Sequence, residues 1–247
     1  MVYLFASDFD NTFYFKDGFH KSDIDSIHAF QNEGHLFGLS TGRSYHGIIH
    51  VVKDLIHFDF FLLVTGSYLL DKDKNIIYQN PIDSKTAKTI FDKYKDEVSI
   101  AINTGERYIP VSDSAGAFKE EIFDYPSDET VFCVSCSCKK KEDVPFYKKK
   151  NKKEFSSLTA HQNGTFFDIT NKKCSKGNSI DILRKQYEKP FVFGIGDNYN
   201  DITLLDSADV SFTFTYSDEE VKKHAEYIVN NIKEAIDIAL KIISESE

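Results

Sequence analysis

Val2-Tyr3-Leu4-Phe5-Ala6-Ser7-Asp8-Phe9-Asp10-Asn11-Thr12 opens the chain with a continuous apolar run that ends in an acidic turn. Five uninterrupted apolar residues follow neither the helical nor the alternating period. They predict a strand buried on both faces, as parallel strands in α/β proteins are. The two carboxylates beyond it stand two residues apart, so in near-extended backbone Asp8 and Asp10 face the same way, into one pocket. Two like charges in one pocket are unfavourable unless a cation neutralises them or one of them carries a proton. For this motif alone, a helix cap or a side-chain turn is the structural alternative.

Outward from this strand the apolar pattern alternates in kind. Ile24, Ile27 and Phe30 recur at helical spacing from Ser22, Gly34 ends the run, and Leu36-Phe37-Gly38-Leu39 predicts a second strand. A helix over 45–55 and a third apolar run, Phe60-Phe61-Leu62-Leu63-Val64, repeat the unit. The economical fold class is α/β, a doubly wound, Rossmann-like parallel sheet. The middle changes character, with strand-like pieces at 76–78, 98–102, 107–109, 130–136, 156–160 and 165–169 and helix-like stretches over 85–94 and 115–123. This pattern predicts an inserted α+β cap domain. Beyond Lys176 the first pattern returns, with a helix to Tyr187 and strands at 191–195 and 210–212. An amphipathic C-terminal helix follows, carrying Ile232, Ala235, Ile236, Ala239 and Leu240 on one face. The expected division is core 1–80, cap 81–173 and core 174–247.

Composition narrows the class of function. The 247 residues carry 30 basic and 39 acidic side chains, a net charge of −9 that repels nucleic acid and anionic lipid. No apolar run approaches the roughly 20 residues that span a bilayer, and Asp8 and Asp10 come too early for a signal peptide, so a cytoplasmic protein is expected. Cys133, Cys136 and Cys138 fall in one strand-like stretch and Cys174 stands apart, with no second Cys-x-x-Cys and no paired His. That pattern predicts reduced structural thiols rather than disulfides or zinc. The eight lysines in 139–153 are diluted by acidic residues and lack an aromatic stacking platform, which favours a solvated cap surface. Asp71-Lys72-Asp73-Lys74-Asn75 begins like a calcium loop, but Ile76 and Ile82 occupy the positions that need Gly and Glu, so a hairpin turn is expected.

Three further polar clusters fall at expected strand or helix ends. Gly194-Ile195-Gly196-Asp197-Asn198-Tyr199-Asn200-Asp201 supplies ligands for the missing cation. Asp8, Asp197 and Asp201 offer oxygen donors only, a set that favours Mg²⁺ over zinc, and Gly194 and Gly196 are expected to let backbone approach the ion. Thr41-Gly42-Arg43 places a hydroxyl ahead of a helix N-terminus, where side-chain O–H and backbone N–H can bind a phosphoryl oxygen. Lys176 begins a helix, a position that disfavours a cation unless an anion compensates.

In this order the motifs resemble, over the whole chain, the haloacid dehalogenase superfamily of phosphohydrolases, and its Cof-like branch with a large α/β cap in particular. The resemblance implies a nucleophile at Asp8, which would form an aspartyl phosphate, and an acid–base group at Asp10. It implies phosphate binding by Thr41, Gly42 and Lys176. It also implies Mg²⁺ held by Asp8, the Asp10 carbonyl and Asp197, with Asp201 in a supporting acidic position and Asn200 beside it. Three departures stand out. Asn11 replaces a usual Gly, Thr65-Gly66-Ser67 replaces Asn-Gly-Ala, and Ser211-Phe212-Thr213-Phe214-Thr215 replaces a Gly-containing loop. Asn tolerates left-handed backbone, so the turn at Asn11 is expected to survive. The implied function is hydrolysis of small phosphorylated metabolites, sugar phosphates or a phosphorylated cofactor, with no nucleic-acid or membrane partner. A phosphosugar mutase and a non-catalytic phosphometabolite-binding regulator are the alternatives. Arg107, Asp113, His161 and Asn163 are polar cap residues expected to serve surface or turn roles.

Overall fold

The computed structural model describes residues 1–246. Its larger sheet has eight strands. Six run parallel: β1 (Val2–Ser7), β2 (Leu36–Ser40), β3 (Phe60–Leu63), and, late in the chain, strands Pro190–Ile195, Val210–Phe214 and Tyr227–Val229. β4 (Tyr68–Asp71) and β5 (Ile76–Gln79) extend the sheet beyond β3 as an antiparallel hairpin. The smaller, wholly antiparallel sheet comprises β6 (Ser99–Asn103), β7 (Tyr108–Asp113), β8 (Cys133–Ser137), β9 (Leu158–Asn163) and β10 (Phe166–Asn171), in the order β7-β6-β8-β10-β9. The late core strands are β11 to β13 in chain order, so the large sheet runs β13-β12-β11-β1-β2-β3-β4-β5.

β1 lies at the centre of that sheet because its residues are apolar on both faces. Phe5 is fully buried and stacks on Phe37, Phe193 and Phe212 at centroid distances of 5.7, 6.0 and 5.9 Å. Helices α1 (Lys21–Asn32) and the C-terminal helix Ile232–Ser246 pack over this aromatic face. Leu4 and Ala6 point the other way, into a cluster with Ile180 and Leu183 of the helix Lys176–Arg184 and with Leu204. The smaller sheet has its own core, built from alternate strand residues such as Ile100, Ile102, Val134, Cys136, Phe167 and Ile169 and covered by the helices Ser84–Tyr94 and Val144–Glu154. Chain-order labels for the helices are α2 (Tyr45–Val52), α3 (Ser84–Tyr94), α4 (Val144–Glu154), α5 (Lys176–Arg184), α6 (Ile202–Ser207), α7 (Glu219–Lys222) and α8 (Ile232–Ser246).

Several local expectations change. The stretch 115–123 is irregular rather than helical. Gly116 sits at φ +69, and the Asp113 carboxylate accepts backbone N–H bonds from Ala117 and Phe118, which commits the chain to a turn. The lysine-rich segment folds as α4, anchored by buried Val144 and Asn151, with Pro145 in its first turn and most of its lysines exposed. The strand at 76–79 belongs to the larger sheet. Its turn is the expected hairpin, closed by Asp73 and Asn75 backbone N–H groups donating to Asp71 Oδ1. β13, α6 and α7 are too short for periodicity to reveal. All four cysteines are buried free thiols, and burial raises the pKa of each. No helix among the described residues is long and apolar enough to cross a membrane.

Candidate active site

Because β1, β2 and β11 are parallel neighbours, their C-terminal ends bring Asp8, Thr41 and Asp197 to one edge of the sheet. Asp8 is 6% exposed. Lys176, the first residue of α5, is completely buried and donates to Asp8 Oδ1 at 2.5 Å and to Asp201 Oδ1. Burial alone would lower the lysine's pKa, but Asp201 and Asp8 outweigh it and hold the ammonium charged. Asp201 Oδ2 accepts the backbone N–H groups of Asp197 and Asn198 at 3.1 and 2.9 Å. Asp201 therefore fixes the turn that presents Asp197, while Thr12 Oγ1 donates to Asp197 Oδ1 at 3.2 Å.

Carboxylate oxygens of Asp8, Asp197 and Asp201 lie within 4.8 Å of one another. Among the described residues one buried ammonium faces these three acids, and burial together with the crowding of carboxylates raises two of them. Burial, with the Asp201 carboxylate beside it, raises Asp8 well above the ordinary carboxylate range. The same two causes push Asp197 up to about 7. Asn200 Oδ1 is buried without a hydrogen-bond donor, and Asn200 and Asp8 line one cavity. An all-oxygen set with excess negative charge and an unpaired amide oxygen fits a hard divalent cation such as Mg²⁺.

The Asp10 carboxylate lies outside this acid cluster. Arg43 clasps it in bidentate fashion, Nε to Oδ2 at 2.9 Å and Nη2 to Oδ1 at 2.7 Å, and spends its third donor on the Gly47 carbonyl at 2.9 Å. The guanidinium lies over the Phe9 ring at 4.9 Å, which fixes its plane. The sequence reading quoted Arg43 in its motif without giving it a role. An arginine directly after a hydroxyl-glycine pair was the available signal.

Asp8, Asp10, Thr41 and Gly42 line one cavity of about 520 Å³ between the two sheets. Asn103 bridges them, its Nδ2 donating to the Gly42 carbonyl at 3.2 Å. Among the four polar cap residues, Asn163 reaches the cavity and accepts from Asn198 Nδ2 at 3.1 Å. Arg107 pairs with Glu129, Asp113 holds its turn, and His161 contacts Thr170, so those three remain structural. Ser135, Phe166 and Asp168 also line the cavity and were not singled out from sequence.

The three departures have local explanations. Asn11 adopts φ +57, as expected of a residue that tolerates this region. Thr65, at φ +55, donates its backbone N–H to the Thr41 carbonyl, so it braces the Thr41–Gly42 turn. Thr213 Oγ1 donates to the Gly196 carbonyl at 2.7 Å and supports the acidic turn from β12. Gly194 and Gly196 differ from expectation. A Cβ on Gly196 would lie 2.4 Å from the Asp201 Cβ, and one on Gly194 would lie 3.0 Å from the Ala208 Cβ. Side-chain packing explains these two glycines.

The profile of the haloacid dehalogenase-like hydrolases matches residues 5–239. The chain belongs to this hydrolase family. An uncharacterized protein of Mycoplasma capricolum is 27% identical, over 94% of this chain and 98% of its own length. A Buchnera aphidicola protein provisionally described as a phosphatase is 25% identical, over 83% of this chain and 84% of its own. Among solved structures, a sugar phosphatase of haloacid dehalogenase subclass IIB superposes with a TM-score of 0.80 at 20% identity, covering 99% of each chain. A Bacteroides thetaiotaomicron member of the superfamily reaches 0.82 at 17% identity, over 99% of this chain and 96% of its own. At such identities the superpositions establish the fold, a parallel-sheet core with the α+β insert expected from the sequence.

Proposed function

We propose that this haloacid dehalogenase-like hydrolase is a Mg²⁺-dependent phosphomonoesterase acting on small phosphorylated metabolites through an aspartyl phosphate on Asp8. The observation that carries the reading is the buried Asp8–Lys176–Asp201 chain, which opens into the same cavity as Asp10, Thr41 and Gly42. Asp8, Asp197 and the Asp10 carbonyl would hold the cation, with Asp201 and Asn200 behind them. When bound, Mg²⁺ supplies positive charge that offsets repulsion between a carboxylate and a phosphate dianion.

The chain's own groups then divide the work. Thr41 Oγ1, the backbone N–H of Gly42 and the Lys176 ammonium orient the phosphoryl oxygens so that Asp8 lies in line with the scissile bond. An Asp8 oxygen attacks phosphorus, the phosphorus–ester oxygen bond breaks, and Asp10 gives its proton to the leaving alkoxide. Asp10 next takes a proton from water, whose oxygen attacks the phosphorus and releases inorganic phosphate, restoring Asp8. The Arg43 clasp holds Asp10 as the carboxylate, the form that takes the proton from water, and for the first transfer Asp10 carries its proton on an oxygen released from the guanidinium. A proton carrier of this kind has no use in a protein that only binds phosphometabolites. Buried free thiols fit the proposed cytoplasmic location.

The test measures inorganic phosphate release from a panel of phosphorylated metabolites and an aryl phosphate, with Mg²⁺ or chelator, for wild type and Asp8→Asn. Chelator-sensitive release that disappears in Asp8→Asn is the expected result. Absence of release from every compound overturns the phosphomonoesterase reading and directs assays to mutase activity and binding.

A further inference from the structure

The cap side of the cavity is acidic and neutral, and Asp168 places there a carboxylate oxygen that accepts no hydrogen bond among the described residues. Along β10, Phe167 and Ile169 face the cap core, so the two-residue period turns Phe166 and Asp168 toward the cavity. Ser135, opposite Asp168 on β8, donates to its Oδ1 at 2.6 Å. Asp168 Oδ2 accepts no hydrogen bond from any described residue, and it lies 3.5 Å from where a Cβ on Gly42 would stand. A free carboxylate oxygen thus borders the phosphate-binding turn. The other cap acid at the cavity is Glu120, on its exposed rim.

No lysine or arginine of the cap is among the residues lining this cavity. Arg43, the cation that does line it, gives three of its five N–H donors to Asp10 and Gly47, and its charge is neutralised by the bidentate Asp10 carboxylate. Lys176 is buried behind Asp8 and faces the transferring group. A second phosphate or a carboxylate on the leaving group would therefore meet Asp168 and Glu120 with no cation whose charge is not already paired, and like-charge juxtaposition of this kind rejects a ligand. A hydroxyl or ammonium donor would satisfy Asp168 Oδ2.

We propose that Asp168, oriented by Ser135, is the specificity-determining residue, selecting monophosphates whose leaving group is an uncharged polyol or an amino polyol and rejecting those with a second anionic group. This rests on the phosphomonoesterase reading for its catalytic consequence, and on the cavity alone for its binding consequence. Burial pushes Asp168 up to about 6, which leaves it ionised at pH 8, where the assays belong.

The experiment has two arms. In the turnover arm, wild type and Asp168→Asn are compared on a hexose monophosphate, a hexosamine phosphate, a hexose bisphosphate, a phosphorylated hydroxy acid and an aryl phosphate. Asparagine keeps the size of the side chain and an oxygen for Ser135 to bond. Wild type is expected to favour the first two over the bisphosphate and the hydroxy acid by about a hundredfold in kcat/KM. Asp168→Asn is expected to narrow that gap by about tenfold, chiefly through KM, and to leave the aryl phosphate within about twofold. In the binding arm, calorimetry on Asp8→Asn, with and without Asp168→Asn, measures Kd for the hexose monophosphate and the bisphosphate, with the same discrimination and the same narrowing expected. Equal affinity for the two ligands, or an equal loss on the aryl phosphate, overturns the assignment of Asp168. Phosphate release from nothing, with discrimination in binding intact, overturns the phosphatase reading and leaves the assignment standing.

Discussion

Asp197→Asn provides a direct test of the charge surplus at the acidic cluster. In the metal-free protein, burial and the adjacent Asp201 carboxylate move Asp197 from 3.8 to about 7. The folded state therefore retains a proton that the unfolded chain releases at about pH 4, so stability falls as pH rises between those two values and the penalty is complete above about pH 7. A displacement of this size corresponds to at most about 4 kcal/mol at 1.36 kcal/mol per pH unit. For a chain of this length, each kcal/mol is worth about 2–4 °C in Tm, giving a ceiling on the order of 10 °C. Asparagine carries no charge and can still accept the Thr12 bond at Oδ1. In chelator, Asp197→Asn should melt several degrees above wild type at pH 8, an advantage that shrinks to about 1 kcal/mol of stability near pH 4.5. Added Mg²⁺ should raise the wild-type Tm at pH 8, by about 2.7 kcal/mol of stability at a hundred times Kd, and should do so less at pH 5, where protons compete. The variant should lose most of that rise. Differential scanning fluorimetry over this grid reads each of these outcomes. A variant no more stable than wild type at pH 8 in chelator, or one that responds to Mg²⁺ as wild type does, would refute the reasoning.

Two further substitutions probe the scaffold of the site. Gly66 has φ +83, and a Cβ there would lie 2.1 Å from the Ser175 carbonyl oxygen, beside Lys176. Gly66→Ala should cost about 2–4 kcal/mol in urea unfolding and lower kcat about a hundredfold by shifting Lys176; an unchanged urea midpoint would contradict this. Arg43→Lys keeps a positive charge but cannot reproduce the bidentate clasp on Asp10, so kcat should fall about tenfold, with KM for an aryl phosphate and Tm little changed. A fall confined to KM would mean that Arg43 binds substrate instead of positioning Asp10.

The apolar run ahead of Asp8 and its repetition at Leu36 and Phe60 announced buried parallel strands, because a strand covered on both faces needs apolar side chains at every position. The acidic and hydroxyl motifs at the ends of those runs were legible for the same reason, since parallel strands deliver their C-terminal residues to a common edge. Asn11 was legible as a left-handed turn residue through its own backbone preference. What the sequence could not determine depended on partners distant in the chain. Arg43 and Asp10 meet only because β1 and β2 are adjacent, and the burial of Lys176 requires β1, α5 and the turn after β11 together. Gly194 and Gly196 suggested close approach to an ion, and the structure accounts for them through the packing of Ala208 and Asp201. The irregular segment at 115–123 carries a helix-like pattern that Gly116 and the Asp113 carboxylate override. Asp168 is the one acid of β10, between Phe167 and Ile169. Local sequence determined that it alternates with core residues, whereas the packing of the cap sheet over the core decided that it faces the Thr41–Gly42 turn. Periodicity and backbone preference are properties of neighbouring residues and can be read from them, but which charged groups become one another's solvent is determined only when the sheets close over the cavity.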